Sequence, residues 1–220
     1  VPPRNADARN RLLDAATDLF AKNGFRGTPV DAIAAEAGVS RSLIFWHFDS
    51  KERLLWAVVT DVLRRSIDDV RAATAGQRGL TALRTYVDRR KTLIEEQRAA
   101  IRLFYLLIGE VIGNDAEEGT QPAALAELRA LYAESRAILS EWIEQAIADG
   151  ELGDADGRTL GYAVHAALTG TDALRFIEGD AYDADAADSG LLTLLEDGRR
   201  RPALFRGGRR TTRAQAGPPR

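Results

Sequence analysis

The run Thr28 to Lys51, TPVDAIAAEAGVSRSLIFWHFDSK, is cut by Pro29, Gly38 and Ser40 into two short helices with a tight corner between them. Thr28 is expected as an N-cap, Pro29 as the first helical residue and Asp31 as the third, an acidic variant of the capping box. Val30, Ile33, Ala34 and Ala37 then recur at the spacing of one helical face. Gly38 supplies a residue that adopts positive φ, Val39 plugs the corner, and Ser40 caps the second helix, over about 41–48. With Ile44 and Phe48 inward, Ser42, Phe45 and Trp46 point outward, Leu43 and His47 lie on the flanks, and Arg41 sits in the first turn. Such an outward face is unsuited to plain solvent. It suits a groove lined by methyl groups, sugars and phosphates. The competing reading packs Leu43, Phe45 and Trp46 against the chain's own helices.

Charge is divided along the chain. Residues 1–65 carry 10 basic and 8 acidic groups, residues 66–198 carry 12 and 25, and residues 199–220 carry 8 and none. The segments are net +2, −13 and +8, together the overall −3. A nucleic-acid partner therefore belongs near the ends, because the acidic middle repels phosphate. No apolar run reaches the length of a membrane span. The first apolar helix is interrupted by Asp14, Asp18 and Lys22, unlike a secretory signal. Two histidines, no cysteine, no GxSxG, no phosphate-cradling glycine loop and no metal-ligand spacing leave no catalytic constellation and imply no cofactor.

Every periodic segment has the helical period, so the fold class is all-α. Residues 1–7 are expected as a mobile arm and about 8–23 as a helix with a stripe of Leu12, Leu13, Ala16, Leu19 and Phe20, ended by Gly24. A long helix, capped at Asp49 and Ser50, runs to about residue 72 and buries Leu55, Val58, Val59 and Val62. Helices follow at about 79–97, 99–113, 123–149, 155–178 and 186–197, with a loop over 114–122. The helix at 155–178 is rich in Gly and Ala, which allow close helix approach. Residues 199–220, rich in Arg, Gly and Pro, read as a disordered basic tail.

The chain resembles the TetR-type transcriptional regulators. The resemblance is carried by Leu12, Leu13, Ala15, Ala16, Leu19 and Phe20, then Gly24, Phe25, Gly27, Thr28 and Val30. It continues through Ile33, Ala34, Ala37, Gly38, Val39 and Ser40 to Ile44, Phe45, His47, Phe48, Lys51, Glu52 and Leu54. It implies a three-helix helix-turn-helix DNA-binding domain over 8–66, with its reading motif at 28–48, and an effector-binding and dimerisation domain over 67–198. It also implies a cytoplasmic homodimer on a palindromic double-stranded operator. Carried over by position, Arg41, Ser42, Leu43 and Trp46 would read bases, and Thr28, Ser40, Phe45, His47 and Lys51 would meet phosphates. Phe45 stands where the family often has Tyr, and its missing hydroxyl removes one hydrogen bond to phosphate.

The family usually holds a small effector between the helices of its second domain. Candidate wall residues here are Tyr86, Arg90, Arg102, Tyr105, Glu110, Tyr132, Arg136, Trp142, His165, Thr169 and Asp172, polar or aromatic positions on otherwise apolar helices. The alternative for each is an ordinary core position. The apolar majority implies a hydrophobic or amphipathic ligand. The last two helices resemble the family's dimerisation pair, with Leu160, Val164, Leu168, Leu191 and Leu195 as contacts; otherwise they complete the monomer core. A repressor, an activator and an architectural DNA binder without an effector remain open readings, and an enclosed, partly apolar cavity within 80–175 would favour an effector.

Overall fold

The computed structural model describes residues 3–98, 100–105 and 122–197. Its helices are α1 (Pro3–Asn23), α2 (Val30–Ala37), α3 (Arg41–Phe48), α4 (Lys51–Ala73), α5 (Gly79–Glu96), a segment over 100–105 (α6), α7 (Pro122–Ala148), α8 (Gly157–Glu178) and α9 (Ala184–Asp197). A short 3-10 turn, Gly179–Ala181, joins the last two. No strand occurs among the described residues, and no described helix is long and apolar enough to cross a membrane. Glu110, the loop at 114–121 and the tail at 199–220 lie outside the described residues.

The first helix starts at Pro3, so residues 3–7, expected as an arm, are its first turns. Proline is tolerated there because its missing N–H would have no helical partner. Asp7 also faces Arg11 one turn on, at 3.7 Å.

Two cores are built on one shared helix. In the first, Leu12, Leu13, Ala16 and Phe20 of α1 pack on Ile33 and Ala37 of α2, Ile44 and Phe48 of α3, and Leu54, Val58 and Val59 of α4. Leu103, Phe104 and Leu128 close it from the other half of the chain. In the second, Val70 of α4 joins Leu83 and Val87 of α5, Leu139 and Ile143 of α7, Val164 and Leu168 of α8, and Leu195 of α9. Ion pairs pin α4 on both sides: Arg65 to Asp14 of α1 at 2.9 Å, and Arg64 and Arg71 to Glu127 and Glu134 of α7 at 3.3 and 2.7 Å.

The small residues of α8 serve α7 first. A Cβ on Gly161 would stand 2.9 Å from Ser140 Cα, and one on Gly157 3.3 Å from Glu144 Cα. These two glycines, one turn apart, select the face of α8 that lies against α7. Val164 and Leu168 continue that face inward, each 1% exposed, and Leu195 is 4% exposed. The expectation that these three residues meet a partner copy is therefore corrected: they are monomer core. Leu160 and Leu191 are half-buried against the same core. Both faces of α8 are apolar or small, so periodicity did not say which would turn in. The outward face carries Tyr162, Ala163, Ala166 and Ala167 instead.

Replacing Gly161 with Leu should force α8 off α7 and lower stability by about 1–3 kcal/mol. Urea unfolding of the variant checks this, and an unchanged midpoint would show that the close approach is dispensable.

Candidate nucleic-acid interface and interior cavity

The reading stretch departs from expectation at its first residue. Pro29, not Thr28, is the N-cap of α2; its carbonyl accepts from Ala32 and Ile33 N–H at 3.1 and 3.4 Å. Thr28 is fully buried, and its hydroxyl is directed at Gly24 O (2.8 Å) and Leu19 O (3.1 Å). A threonine that closes the last carbonyls of α1 offers no hydroxyl to a phosphate, so that role is withdrawn. Asp31 makes no capping bond; its carboxylate pairs with Arg41 across the corner at 3.1 Å.

The corner itself follows the sequence. Gly38 takes φ +64°, its N–H donates to Ala35 O at 3.1 Å, and Val39 N–H donates to Ala34 O at 2.9 Å. This pair of bonds satisfies the end of α2 in the way a left-handed residue permits. Ser40 occupies the N-cap of α3 with extended backbone but makes no capping bond; its hydroxyl lies 3.0 Å from that of Ser42. At the far end Asp49 adopts φ +59° and ψ −40°, outside the left-handed helical region, and Arg53 holds its carboxylate at 2.6 Å. Ser50 then caps α4 by accepting from Arg53 N–H. The angle of α3 to α4 is thus fixed by hydrogen bonds.

On α3, Ile44 and Phe48 are buried, while Phe45 and Trp46 are 38% and 64% exposed. Ser40, Arg41 and Ser42 are exposed beside them and Leu43 is half-buried. The Arg41 guanidinium lies 5.7 Å from the Phe45 ring centre. Arg41, Ser42, Phe45 and Trp46 therefore present one continuous outer face, as the spacing required.

Two flanking residues are more enclosed than expected. His47 Nε2 is buried with no hydrogen-bond partner among the described residues, and the Trp46 ring meets its imidazole edge-on at 4.6 Å. Burial first, then the charge of Arg9, hold its pKa below the usual value. His47 thus favours the neutral form. Lys51 donates to Phe25 O at 2.6 Å and sits 4.4 Å from the Phe25 ring centre, tying α4 to the link between α1 and α2. An ammonium has three donors, so this tie leaves others for a phosphate.

Between α4, α5, α6, α7 and α8 lies a cavity of about 120 Å³. Tyr86, Arg90, Tyr105, Tyr132, His165, Thr169 and Asp172, named above as candidate wall residues, line it. Three other candidates do not. Arg102 is exposed, Arg136 stacks outward on Tyr162 at 5.3 Å, and Trp142 is core, 5.9 Å from Tyr86. Helical polarity alone did not separate inward from outward positions. The apolar wall from α4, including Val62, Leu63 and Ile67, was missed as such, because these positions also fit an ordinary buried face.

The cavity's polar end is a buried charge cluster. Arg90 donates to both oxygens of Asp188 at 2.6 and 2.5 Å, to Leu168 O at 3.1 Å, and to Asp172 Oδ1. Asp188 is fully buried, and Arg90 is 7% exposed. Burial pushes the Asp172 carboxyl up to about 6 despite Arg90. Burial, reinforced by Arg136, pulls His165 down to about 4. Burial also raises Tyr105, and raises Tyr132 to about 12.

His165 has a testable sign. Its folded pKa of about 4 lies below its ordinary 6.5, so its contribution to stability is present above pH 6.5 and is lost as pH falls through about 4. Asp172, raised from 3.8 to about 6, acts in the opposite sense over an overlapping window. The difference between the wild type and His165→Gln isolates the histidine. On acidification across that window the wild type should lose more stability than the variant in urea titrations. Parallel curves would show that His165 carries no such linkage.

Residues 12–58 match the family described as bacterial regulatory proteins, tetR family. The HTH-type transcriptional regulator RutR of Escherichia coli K12 is 29% identical over 160 residues, spanning 72% of this chain and 70% of that protein. The HTH-type transcriptional activator FasR of Mycolicibacterium smegmatis is 38% identical over 103 residues, 47% of this chain and 41% of that one. A TetR-family regulator from Agrobacterium tumefaciens has the same fold, with a TM-score of 0.70 at 19% identity, covering 87% of this chain and 99% of that one. The helix-turn-helix with its exposed aromatic and arginine face lies within residues 12–58, the part of the chain that matches the tetR family of bacterial regulatory proteins.

Proposed function

We propose that the chain is a ligand-responsive repressor that binds a palindromic operator as a homodimer in the cytoplasm. The observation that carries this reading is the joint placement of α3 and the cavity on α4. One end of that helix packs under the reading face, and Val62, Leu63, Ser66, Ile67 and Val70 farther along it line the cavity. A ligand that fills the cavity displaces α4 and with it the separation of two reading faces. The cavity favours this reading over an architectural DNA binder without an effector. In this proposal residues 8–66 form the DNA-binding domain and 67–198 the effector and dimerisation domain.

Arg41 and Ser42 read base edges, with Leu43 and Trp46 against methyl groups and sugars. Ser40, Lys51 and the start of α3 meet phosphate. Phe45 packs beside Arg41 and contributes no hydrogen bond. The dimer contact is the outward face of α8 and α9, where Tyr162 and Leu194 are 48% and 66% exposed. The small residues Ala163, Ala166 and Ala167 beside them let a partner helix approach. The relative FasR is named an activator, and the direction of regulation follows from where the operator lies against a promoter.

Selection of DNA fragments from a random pool, followed by footprinting, should yield a palindrome protected by a dimer. Failure to enrich any palindromic duplex at moderate salt would sink this function. Arg41→Ala should weaken binding to the selected site by about 1–3 kcal/mol and relax preference at one base pair in each half-site. Competition with mismatched duplexes measures both effects, and unchanged strength and selectivity would remove Arg41 from the readout.

A further inference from the structure

Resting on the reading of the cavity as an effector site, we infer that its ligand is an uncharged single-ring molecule bearing a hydroxyl, the ring against the apolar walls from α4 and α6 and the hydroxyl on Tyr132 and His165. Size sets the first limit. A cavity of about 120 Å³ is close to the roughly 150 Å³ that accepts a benzene ring. Leu63 and Ile67 of α4, Leu93 and Ile94 of α5, and Ile101 and Phe104 of α6 give it apolar walls.

The lining carries one formal charge of each sign, Arg90 and Asp172, and the two are paired. Arg90 also donates to both oxygens of Asp188 at 2.6 and 2.5 Å. Arg175 adds a positive charge that acts on both aspartates, so the two arginines and two aspartates of the cluster cancel. Arg90 Nε and Arg175 Nε and Nη2 have no hydrogen-bond partner among the described residues, but all three are buried, and Arg175 lies outside the lining. Lys91 and Asp185 hold each other at 3.2 Å. An ion of either sign therefore enters as an unbalanced charge or displaces one member of a buried pair, the costly way to break it. The same enclosure drives its own side chains toward their uncharged forms. Burial raises Tyr86, Tyr105 and Tyr132, lowers His165 to about 4 and raises Asp172 to about 6. A neutral ligand meets no such penalty.

Hydrogen bonding identifies the polar group. Two of the tyrosines on the wall are engaged, Tyr86 with Ser135 and Tyr105 as donor to Thr169 O at 3.4 Å. Nothing among the described residues hydrogen-bonds the Tyr132 hydroxyl or the His165 ring. Neither is sealed in the way His47 Nε2 is, and both line the cavity, with their rings edge-on at 5.7 Å. A phenolic O–H donates or accepts, and a neutral imidazole offers one donor and one acceptor nitrogen. A ligand hydroxyl, itself donor and acceptor, serves both groups at once. A wholly apolar ligand strips both of water and leaves their hydrogen bonds unmade.

The test is isothermal titration calorimetry of the full chain, near neutral pH, with probes of one ring each: phenol, its apolar isostere toluene, benzylammonium and benzoate. Phenol should bind tightest, about fivefold over toluene. Each ion should bind at least about tenfold more weakly than phenol. Tyr132→Phe keeps a ring beside Phe104 and should bring phenol down to the level of toluene, with toluene unchanged. If either ion binds as tightly as phenol, if toluene matches phenol on the wild type, or if Tyr132→Phe keeps phenol's advantage, the assignment is overturned while the cavity stands as a ligand site. If no probe binds at millimolar concentration, the effector reading falls and the assignment with it. The comparison of probes on the wild type decides the matter even where the variant fails to fold.

Discussion

The burial of α4 at both ends is the constraint on which the rest of the molecule depends. Leu54, Val58 and Val59 belong to the core under α3, and Val70 to the core between α5, α7 and α8. A helix of 23 residues is roughly 34 Å long at the usual rise per residue. It cannot satisfy two separate cores unless it stays straight and both cores accept its register. The flanking ion pairs are exposed and individually worth little. Their value lies in direction: Arg65 reaches back to α1, while Arg64 and Arg71 reach sideways to α7. Any rearrangement of the cavity walls is therefore also a rearrangement of the support beneath the reading helix.

Much of this was legible in the sequence, and the failures have physical causes. The corner at Gly38 and the in/out division of α3 followed from spacing, because a short helix with Ile44 and Phe48 inward has no other arrangement. Thr28 was misread because a threonine before a proline fits an N-cap as well as it fits a buried hydroxyl closing the preceding helix. The difference is made by Gly24 O and Leu19 O, on a neighbouring element whose approach the local sequence does not encode. Asp31 and Arg41 are ten residues apart across a turn, and no helical periodicity relates them.

The cavity shows the same division. Of the polar and aromatic positions singled out on apolar helices, Tyr86, Arg90, Tyr132 and Asp172 line the cavity. Arg102, Arg136 and Trp142 had the same local appearance. They were separated only by which neighbour each helix faces, and for α8 that choice rests on Gly157 and Gly161 against α7. The matching of Arg90 to Asp188 across nearly a hundred residues is likewise a property of the packed structure. Once formed it is costly to break, since removal of either partner strands the other in the interior.

The contact between Asp31 and Arg41 separates searching from reading. On the proposed reading, Arg41 travels along arbitrary DNA still folded back on Asp31, its charge partly cancelled and one terminal nitrogen shared between the two carboxylate oxygens. A run of phosphates offers diffuse attraction, whereas a base edge with paired acceptors engages two nitrogens of the fork, one more than Asp31 holds. Non-operator DNA then gives little reason for the arginine to let go, and the chain slides with its most discriminating side chain sheathed. The exchange of one partner for another happens at the operator, so the same carboxylate that weakens every encounter also widens the gap between the right sequence and all the others.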